Sequence, residues 1–285
     1  MKVNPSLLKS FQSCALRYKL AKECPDLPDP QSAAASYGTL VHKCLEMHLN
    51  GRSIEDSLEF FNKVWSSPDL MDITPDYYPP RTTHGAYRKK GIDAITGYYE
   101  DHRWFNRELL ATEFRFCVPM GNHFVSGIVD LLEYDPATDT LFITDWKTGY
   151  RPNADNLRFD LQMTSYLFAV RQREFWCGYE PEIEKYTGFL NGAALFDRFV
   201  DSTHQAVWYD LRNSKEYPVG DRTQRDFDRM EMLCDQMEKA IDLDVFVPNI
   251  TGDSCKYCQF KDVCPAYVPD TEQVKEWKIE IAGSQ

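Results

Sequence analysis

The 285-residue sequence lacks several features that would place it in other classes of protein. No apolar run reaches the roughly 18 residues that a bilayer crossing needs, so we expect no membrane association. The first residues contain no continuous apolar stretch followed by a small-residue cleavage site, which predicts no secretory signal and a cytoplasmic location. With 43% hydrophobic and 14% aromatic residues, the chain is also too apolar to be disordered.

Positive charge is scarce, with 32 Lys and Arg residues against 44 Asp and Glu residues and a net charge of −12. This balance by itself argues against nucleic-acid binding, because phosphate groups require basic partners. The charge is uneven, however, since residues 1–22 and 81–90 contain basic residues and no acid. These segments are either a local basic path or ordinary solvated helix faces.

Apolar periodicity and turn residues predict the order of helices and strands. A first helix begins at Asn4-Pro5-Ser6 and places Leu7, Phe11, Cys14 and Tyr18 at helical spacing. The further predictions are helices near 34–49, 87–102, 155–173 and 222–241, a loop over 66–81, and strands over 111–120, 124–134, 141–147, 184–191, 194–200 and 205–210. The order α-β-β-β-α-β predicts an α/β (mixed α+β) fold with a mixed sheet flanked by helices.

Two carboxylates and a lysine follow one another on the second and third of these strands. Asp130 ends Gly127-Ile-Val-Asp130, and Asp145-Trp146-Lys147 follows across the turn at 135–139. Side chains alternate along a strand, so Asp145 and Lys147 share one face, and pairing of the strands would bring Asp130 close. Such a cluster suits Mg²⁺ or Mn²⁺, although a solvated Asp–Lys pair is the alternative.

Polar residues on two helices accompany this cluster. Gln162 and Tyr166 lie one helical turn apart and would bind a phosphate or a base, or orient the lysine. His42, in Gly38-Thr-Leu-Val-His42, lies off the apolar stripe of its helix, where a histidine is either functional or merely structural.

Five motifs in order carry a resemblance to a known family. They are Gly38-x-x-x-His42, Glu113, Gly127-x-x-Asp130, Asp145-x-Lys147 and Gln162-x-x-x-Tyr166. Together they resemble the RecB-like branch of the PD-(D/E)XK nucleases over about residues 4–267. One departure is Leu131, where many relatives have arginine.

The resemblance implies a restriction-endonuclease-like αβββαβ core and a role for each motif residue. It implies a single nuclease domain with a helical region over 1–110, a catalytic sheet over 111–210 and a cysteine-rich region over 211–285. His42, Asp130, Asp145 and the Trp146 carbonyl would bind the metal, and Lys147 would be the catalytic lysine. Gln162 and Tyr166 would contact DNA. Glu113 would assist at the metal or hold Lys147 or Arg115.

Nine cysteines in a chain expected in a reducing compartment favour metal binding over disulfides. Cys255, Cys258 and Cys264 have C-x₂-C-x₅-C spacing, and Cys14 is the candidate for a fourth ligand. The resemblance supports this set, because RecB-like nucleases with an iron–sulfur cluster take one cysteine before the core and three after it. Four thiolates suit a [4Fe–4S] cluster, with structural zinc or plain reduced cysteines as alternatives. The cluster would close a loop of about 240 residues.

The resemblance also implies the activity and the partners. It implies a Mg²⁺- or Mn²⁺-dependent exonuclease acting on DNA ends, with single strands favoured, similar to CRISPR adaptation exonucleases and AddB-type subunits. No G-x-x-x-x-G-K-[ST] motif is present, so unwinding would come from a partner helicase, recombinase or CRISPR adaptation protein. The alternatives are a non-catalytic iron–sulfur DNA-binding or scaffold module and a structure-specific endonuclease.

Overall fold

The structure is a computed structural model that describes residues 1–25, 31–102, 105–149, 153–178, 188–250, 255 and 258–267. Within these ranges, no helix combines the length and apolar composition that a bilayer crossing requires.

One mixed sheet forms the centre of the fold. Its strands are β1 (Lys2–Val3), β2 (Glu108–Met120), β3 (His123–Asp135), β4 (Thr140–Lys147), β5 (Thr203–Asp210) and β6 (Lys215–Pro218). β2 pairs antiparallel with β3 along nearly its whole length, while β4 pairs antiparallel with the far end of β3. β5 runs parallel to β4, β6 is antiparallel to β5, and β1 joins the start of β3 in parallel. The predicted mixed sheet is thus confirmed.

Ten α-helices lie around this sheet in the described part of the chain. They are α1 (Pro5–Ser13), α2 (Ala15–Glu23), α3 (Ala33–Leu49), α4 (Ile54–Ser66), α5 (His84–His102), α6 (Ala154–Arg158), α7 (Leu161–Ala169), α8 (Arg173–Cys177), α9 (Gly192–Phe199) and α10 (Gln224–Asp242). A 3₁₀ turn covers Pro68–Met71. Side-chain caps fix several starts, since Asn4, Ser32, Ser53 and Asp160 each accept a backbone N–H of the helix that follows.

Two separate cores cover the two sides of the sheet. The larger joins α1, α7, α9 and α10 to apolar side chains of β2–β5, such as Val118, Leu132 and Ile143. The smaller joins α3, α4 and α5 to Leu131, Trp146 and Tyr209. The fold therefore has three layers, with the sheet between two groups of helices. α3 belongs to the smaller core and α7 to the larger one.

Several predicted elements differ from those observed. Cys14 is not inside a helix: its backbone is extended (φ −166°, ψ 109°) and separates α1 from α2. The predicted helix over 155–173 is broken, because the Asp160 side chain caps a new helix at Leu161.

The predicted strand over 194–200 is wrong, since α9 covers all but the last residue of this segment. A short apolar run does not distinguish a strand from a buried helix. Here the segment is a helix that buries Phe199 in the larger core. Most of the predicted strand at 184–191 lies outside the described residues. The short strands β1 and β6 were not predicted, since neither offers enough residues to show alternation.

Candidate active site

The candidate site forms where β3 and β4 part. Their ladder ends at the pair Leu131–Thr144, so Asp130 and Asp145 are the next residues of the two strands. Both carboxylates are buried. The backbone N–H of Trp146 donates to Asp130 Oδ2 at 2.7 Å, which bridges the parting strands.

His42 of α3 and Glu113 of β2 complete a tight group with Asp130. His42 Nδ1 lies 3.8 Å from Glu113 Oε1 and 3.7 Å from Asp130 Oδ2. One donor atom from each of the three residues lies within 4.8 Å of the other two. Glu113 has φ +48°, an unusual left-handed conformation for a non-glycine strand residue, and such strain is concentrated at functional sites.

The hydrogen bonding of His42 leaves one ring nitrogen facing the carboxylates. Its Nε2 lies 3.0 Å from the Trp146 carbonyl oxygen, so Nε2 carries the proton and donates it. Burial lowers the pKa of His42, which keeps the ring neutral with the Nδ1 lone pair toward Glu113 and Asp130. The Trp146 carbonyl, a predicted metal ligand, uses one of its two lone pairs in this bond.

The two acidic members of the group hold protons unusually strongly. Burial and the neighbouring Asp130 carboxylate raise the pKa of Glu113 to about 7. Burial and nearby Asp145 raise the pKa of Asp130 well above its ordinary value. A buried and a half-buried carboxylate that repel one another, with a neutral imidazole, form a donor set that fits a hard divalent cation.

Asp145 and Lys147 form a second pair beside this group. Lys147 Nζ lies 2.5 Å from Asp145 Oδ2, as the alternation of strand side chains predicts. Asp145 is 1% exposed, and neither of its carboxylate oxygens accepts a well-directed hydrogen bond from the described residues. Asp145 was predicted as a metal ligand, but its oxygens lie outside the tight group, which Glu113 joins instead. Oδ2 is paired with Lys147, whereas Oδ1 has no partner in the described residues, which leaves Asp145 able to bind a further cation.

Gln162 and Tyr166 of α7, on the side of the larger core, form a hydrogen-bond chain to Lys147. Lys147 donates to Gln162 Oε1 at 3.1 Å, and Gln162 Nε2 donates to the Tyr166 hydroxyl at 2.9 Å. That hydroxyl donates in turn to the Ile128 carbonyl at the open edge of β3. Tyr166 is only 1% exposed, and these hydrogen bonds favour the alternative that the pair orients the lysine.

The two motif glycines permit close approaches around the site. A Cβ at Gly127 would lie 2.8 Å from the ring of Phe116, which packs between β3 and Tyr166. A Cβ at Gly38 would lie 3.3 Å from the Thr148 hydroxyl, directly after Lys147. Gly38 thus lets α3 bring His42 to the end of β4.

A cleft of about 540 Å³ opens in front of the tight group. Its walls include three charged residues without a predicted role in a site: Lys43, Glu46 and Arg115. Glu46 lies one helical turn after His42, and Arg115 lies two strand residues after Glu113. Their spacing from these motif residues was the sequence signal that could have placed them in the site. Lys43 donates to Glu46 at 2.7 Å.

The four predicted cluster cysteines line one cavity of about 230 Å³. They are Cys14, Cys255, Cys258 and Cys264, and a small apolar group of Leu16, Leu20 and Phe260 packs beside them. The backbone N–H of Asn249 lies 3.4 Å from Cys14 Sγ, and the Asn249 amide donates to the Ser13 carbonyl. The segment after α1 and the segment after α10 therefore meet here.

The spacing of the sulfur atoms bears on what this cavity fits. No three cysteine sulfurs of the described residues lie within 4.8 Å of one another. Tetrahedral zinc with Zn–S bonds of 2.3 Å would bring sulfurs to roughly 3.8 Å. The four thiols therefore share a cavity without forming such a close group in the described residues.

Comparison with known proteins assigns the family. The sequence profile of the PD-(D/E)XK nuclease superfamily matches residues 2–265. The chain therefore belongs to the PD-(D/E)XK nuclease superfamily, whose members are metal-dependent nucleases.

No curated protein matches this chain significantly. Among solved structures, one described as "Crystal structure of SSO0001" has 14% sequence identity and a TM-score of 0.39. The match covers 94% of this chain and 87% of that chain.

Proposed function

We propose that this protein is a RecB-like, Mg²⁺- or Mn²⁺-dependent DNA exonuclease that acts on DNA ends and favours single strands. The observation that carries the nuclease activity is the convergence of His42, Glu113 and Asp130 beside the Asp145–Lys147 pair. The action on ends and the preference for single strands rest on the resemblance of the five motifs to RecB-like nucleases.

Each residue of the site has a role in this proposal. His42, Glu113 and Asp130 hold the metal, and Asp145 offers a further carboxylate on β4. The metal supplies Lewis-acid stabilisation of the phosphodiester that is cut. Lys147 offsets negative charge developing on the phosphate and positions the attacking water, and Gln162 and Tyr166 keep its amine in place.

Cys14, Cys255, Cys258 and Cys264 bind a [4Fe–4S] cluster in this proposal. Their shared cavity and the N–H of Asn249 directed at Cys14 support it. The cluster would stabilise the fold by joining two segments that are far apart in sequence, because ligation favours only the folded state.

The proposed setting is the cytoplasm, where a helicase, recombinase or CRISPR adaptation protein would supply DNA ends. The proposal keeps one nuclease domain over 1–285, in which the helical region 1–110 contributes Cys14 and His42. The sheet over 111–210 would then carry the chemistry, and 211–285 would carry the other three cluster ligands.

Digestion of end-labelled DNA tests the activity. With Mg²⁺ or Mn²⁺, linear single strands should be degraded while covalently closed circular single strands are spared. The Lys147→Met variant should be about 100-fold slower or worse, because a charged group that acts on the transition state is lost. Rapid cutting of the circle would indicate an endonuclease, and folded protein that cuts neither substrate would overturn the proposal.

A further inference from the structure

The cleft in front of the tight group contains a cation that has no role in the chemistry proposed above. Arg115 of β2 is exposed and lines this cleft together with His42 and Glu113, which are two members of the tight group. Two residues of a strand span about 6.5 Å, so the backbone of Arg115 lies one step along the cleft from that of Glu113. The cleft therefore continues from the metal-binding residues to the Arg115 guanidinium.

Arg115 differs from the other basic side chains of the site because it has no acidic partner among the described residues. Lys43 is paired with Glu46 at 2.7 Å, and Lys147 is paired with Asp145. Arg115 makes no hydrogen bond or ion pair in the described part of the chain. Its five N–H donors are therefore free to bind an anion that enters the cleft.

The charge of Arg115 nevertheless acts on the tight group. Burial and the Asp130 carboxylate raise the pKa of Glu113, and the positive charge of Arg115 works against them. The guanidinium thus lies near the metal-binding residues without being bound to them. Because a guanidinium is a planar fork of donors, it matches two oxygens of a phosphate with two parallel hydrogen bonds.

Arg115 also decides the net charge of the loaded cleft. With a metal bound, ionised Glu46, Glu113 and Asp130 contribute three negative charges, and the neighbouring carboxylate–lysine pair cancels. A divalent cation, Lys43 and Arg115 contribute four positive charges, so the net charge is +1. Without Arg115 the net charge would be zero, so this residue supplies the excess that attracts a polyanion.

We propose that Arg115 binds the phosphate that adjoins the scissile phosphate on the same DNA strand. The scissile phosphate is assigned to the metal and Lys147, so a free cation one step along the cleft meets the next phosphate. The cleft of about 540 Å³ lies within the roughly 300–1,000 Å³ that small ligands occupy, which accommodates the nucleotide between the two phosphates. This inference rests on the proposed nuclease function and makes Arg115 a substrate-binding residue.

Removing the cation from the protein is the first half of the test. With Mn²⁺, Arg115→Gln should lower kcat/KM for a short linear oligothymidylate about tenfold, because a charge-assisted contact with the substrate is lost. The Mn²⁺ affinity should not fall, since Arg115 holds no metal. Arg52→Gln is the matched control: Arg52 is exposed just after α3 and does not line the cleft, so kcat/KM should not change.

Removing the charge from the substrate is the second half. Two oligothymidylates each carry one neutral methylphosphonate at the second linkage, one oligonucleotide for each end. Wild-type protein should cut one of them about tenfold more slowly than the unmodified strand. Arg115→Gln should cut both at its rate for the unmodified strand, because the contact that the methylphosphonate removes is already absent. A merely structural role of Arg115 would slow all substrates and keep the methylphosphonate effect.

Binding distinguishes failure of this contact from failure of the nuclease. In Lys147→Met protein with Mn²⁺, adding Arg115→Gln should reduce the slope of log K against log salt for oligothymidylate by about 0.7, the contribution of one phosphate contact. If wild-type protein cuts no DNA but this slope falls, the nuclease assignment is wrong and the Arg115 contact stands. If wild-type protein cuts DNA but the slope is unchanged, or the methylphosphonate slows wild type and Arg115→Gln equally, the contact is wrong and the nuclease stands.

Discussion

Lys147→Met should separate catalysis from stability at the candidate site. The Lys147 ammonium is the cationic partner of Asp145, 2.5 Å away, and it also donates to Gln162. Burial acts to lower the pKa of Lys147, but the Asp145 carboxylate raises it more, so the amine stays charged. Methionine keeps most of the side-chain volume and removes that charge.

The structure sets the size of both effects. Asp145 is 1% exposed, and its oxygens accept no well-directed hydrogen bond in the described part of the chain. Removing its cation leaves a buried charge uncompensated, which costs about 3 kcal/mol of unfolding free energy. For a domain of this size that corresponds to a melting temperature roughly 6–12 °C lower. Cleavage should fall about 100-fold or more.

A second variant shows that the two losses have different causes. In Asp145→Asn combined with Lys147→Met, the charge at position 145 is removed together with its partner, so most of the lost stability should return while cleavage stays absent. Thermal unfolding in chelator, followed by circular dichroism, and digestion of end-labelled single strands measure the two quantities. An unchanged melting temperature for Lys147→Met would refute the unpaired-charge argument, and wild-type cutting would refute the catalytic role.

Four further predictions follow: two concern the metal site, one the cluster and one the net charge. Because the pKa of Glu113 is raised to about 7, Mn²⁺ must displace a proton to bind below that pH. The affinity of the protein for Mn²⁺, measured by calorimetry, should therefore rise with pH and level off above about 7. A constant affinity from pH 5 to 7 would contradict this. The same raised pKa stabilises the metal-free protein below pH 4.5, and that contribution should be lost as the pH rises through 7 in chelator. Protein purified without air should be brown, with about four irons per chain. The Cys14→Ser variant should lose this colour and have a lower melting temperature, whereas Cys177→Ser should change neither, because Cys177 is exposed and does not line the cavity. Zinc without iron would exclude the cluster. With a net charge of −12, DNA binding in chelator should be weak and steeply salt-dependent, which tight binding at physiological salt would contradict.

The sequence by itself determined the central strands and the motif residues. Apolar alternation and the turn at 135–139 predicted β2, β3 and β4 within a few residues, since these strands pair locally across short connections. The alternation of side chains also predicted the contact of Asp145 with Lys147, because both lie on one strand. The short segments were less predictable: residues 194–199 form a helix because burial of Phe199 in the main core overrides a weak local preference.

Only the tertiary structure decided how residues far apart in the chain combine. His42, Glu113 and Asp130 come from a helix and two strands, and local patterns do not contain their separations or the burial that raises the pKa of Glu113. Tyr166 was predicted to contact DNA, yet packing of α7 against β3 buries its hydroxyl. A pocket beyond the carboxyl ends of β4 and β5 is assembled from four segments (α3, α5 and the residues after these two strands), none of which carries a motif for it, because the walls of a pocket are set by how helices and strands pack rather than by the order of their residues.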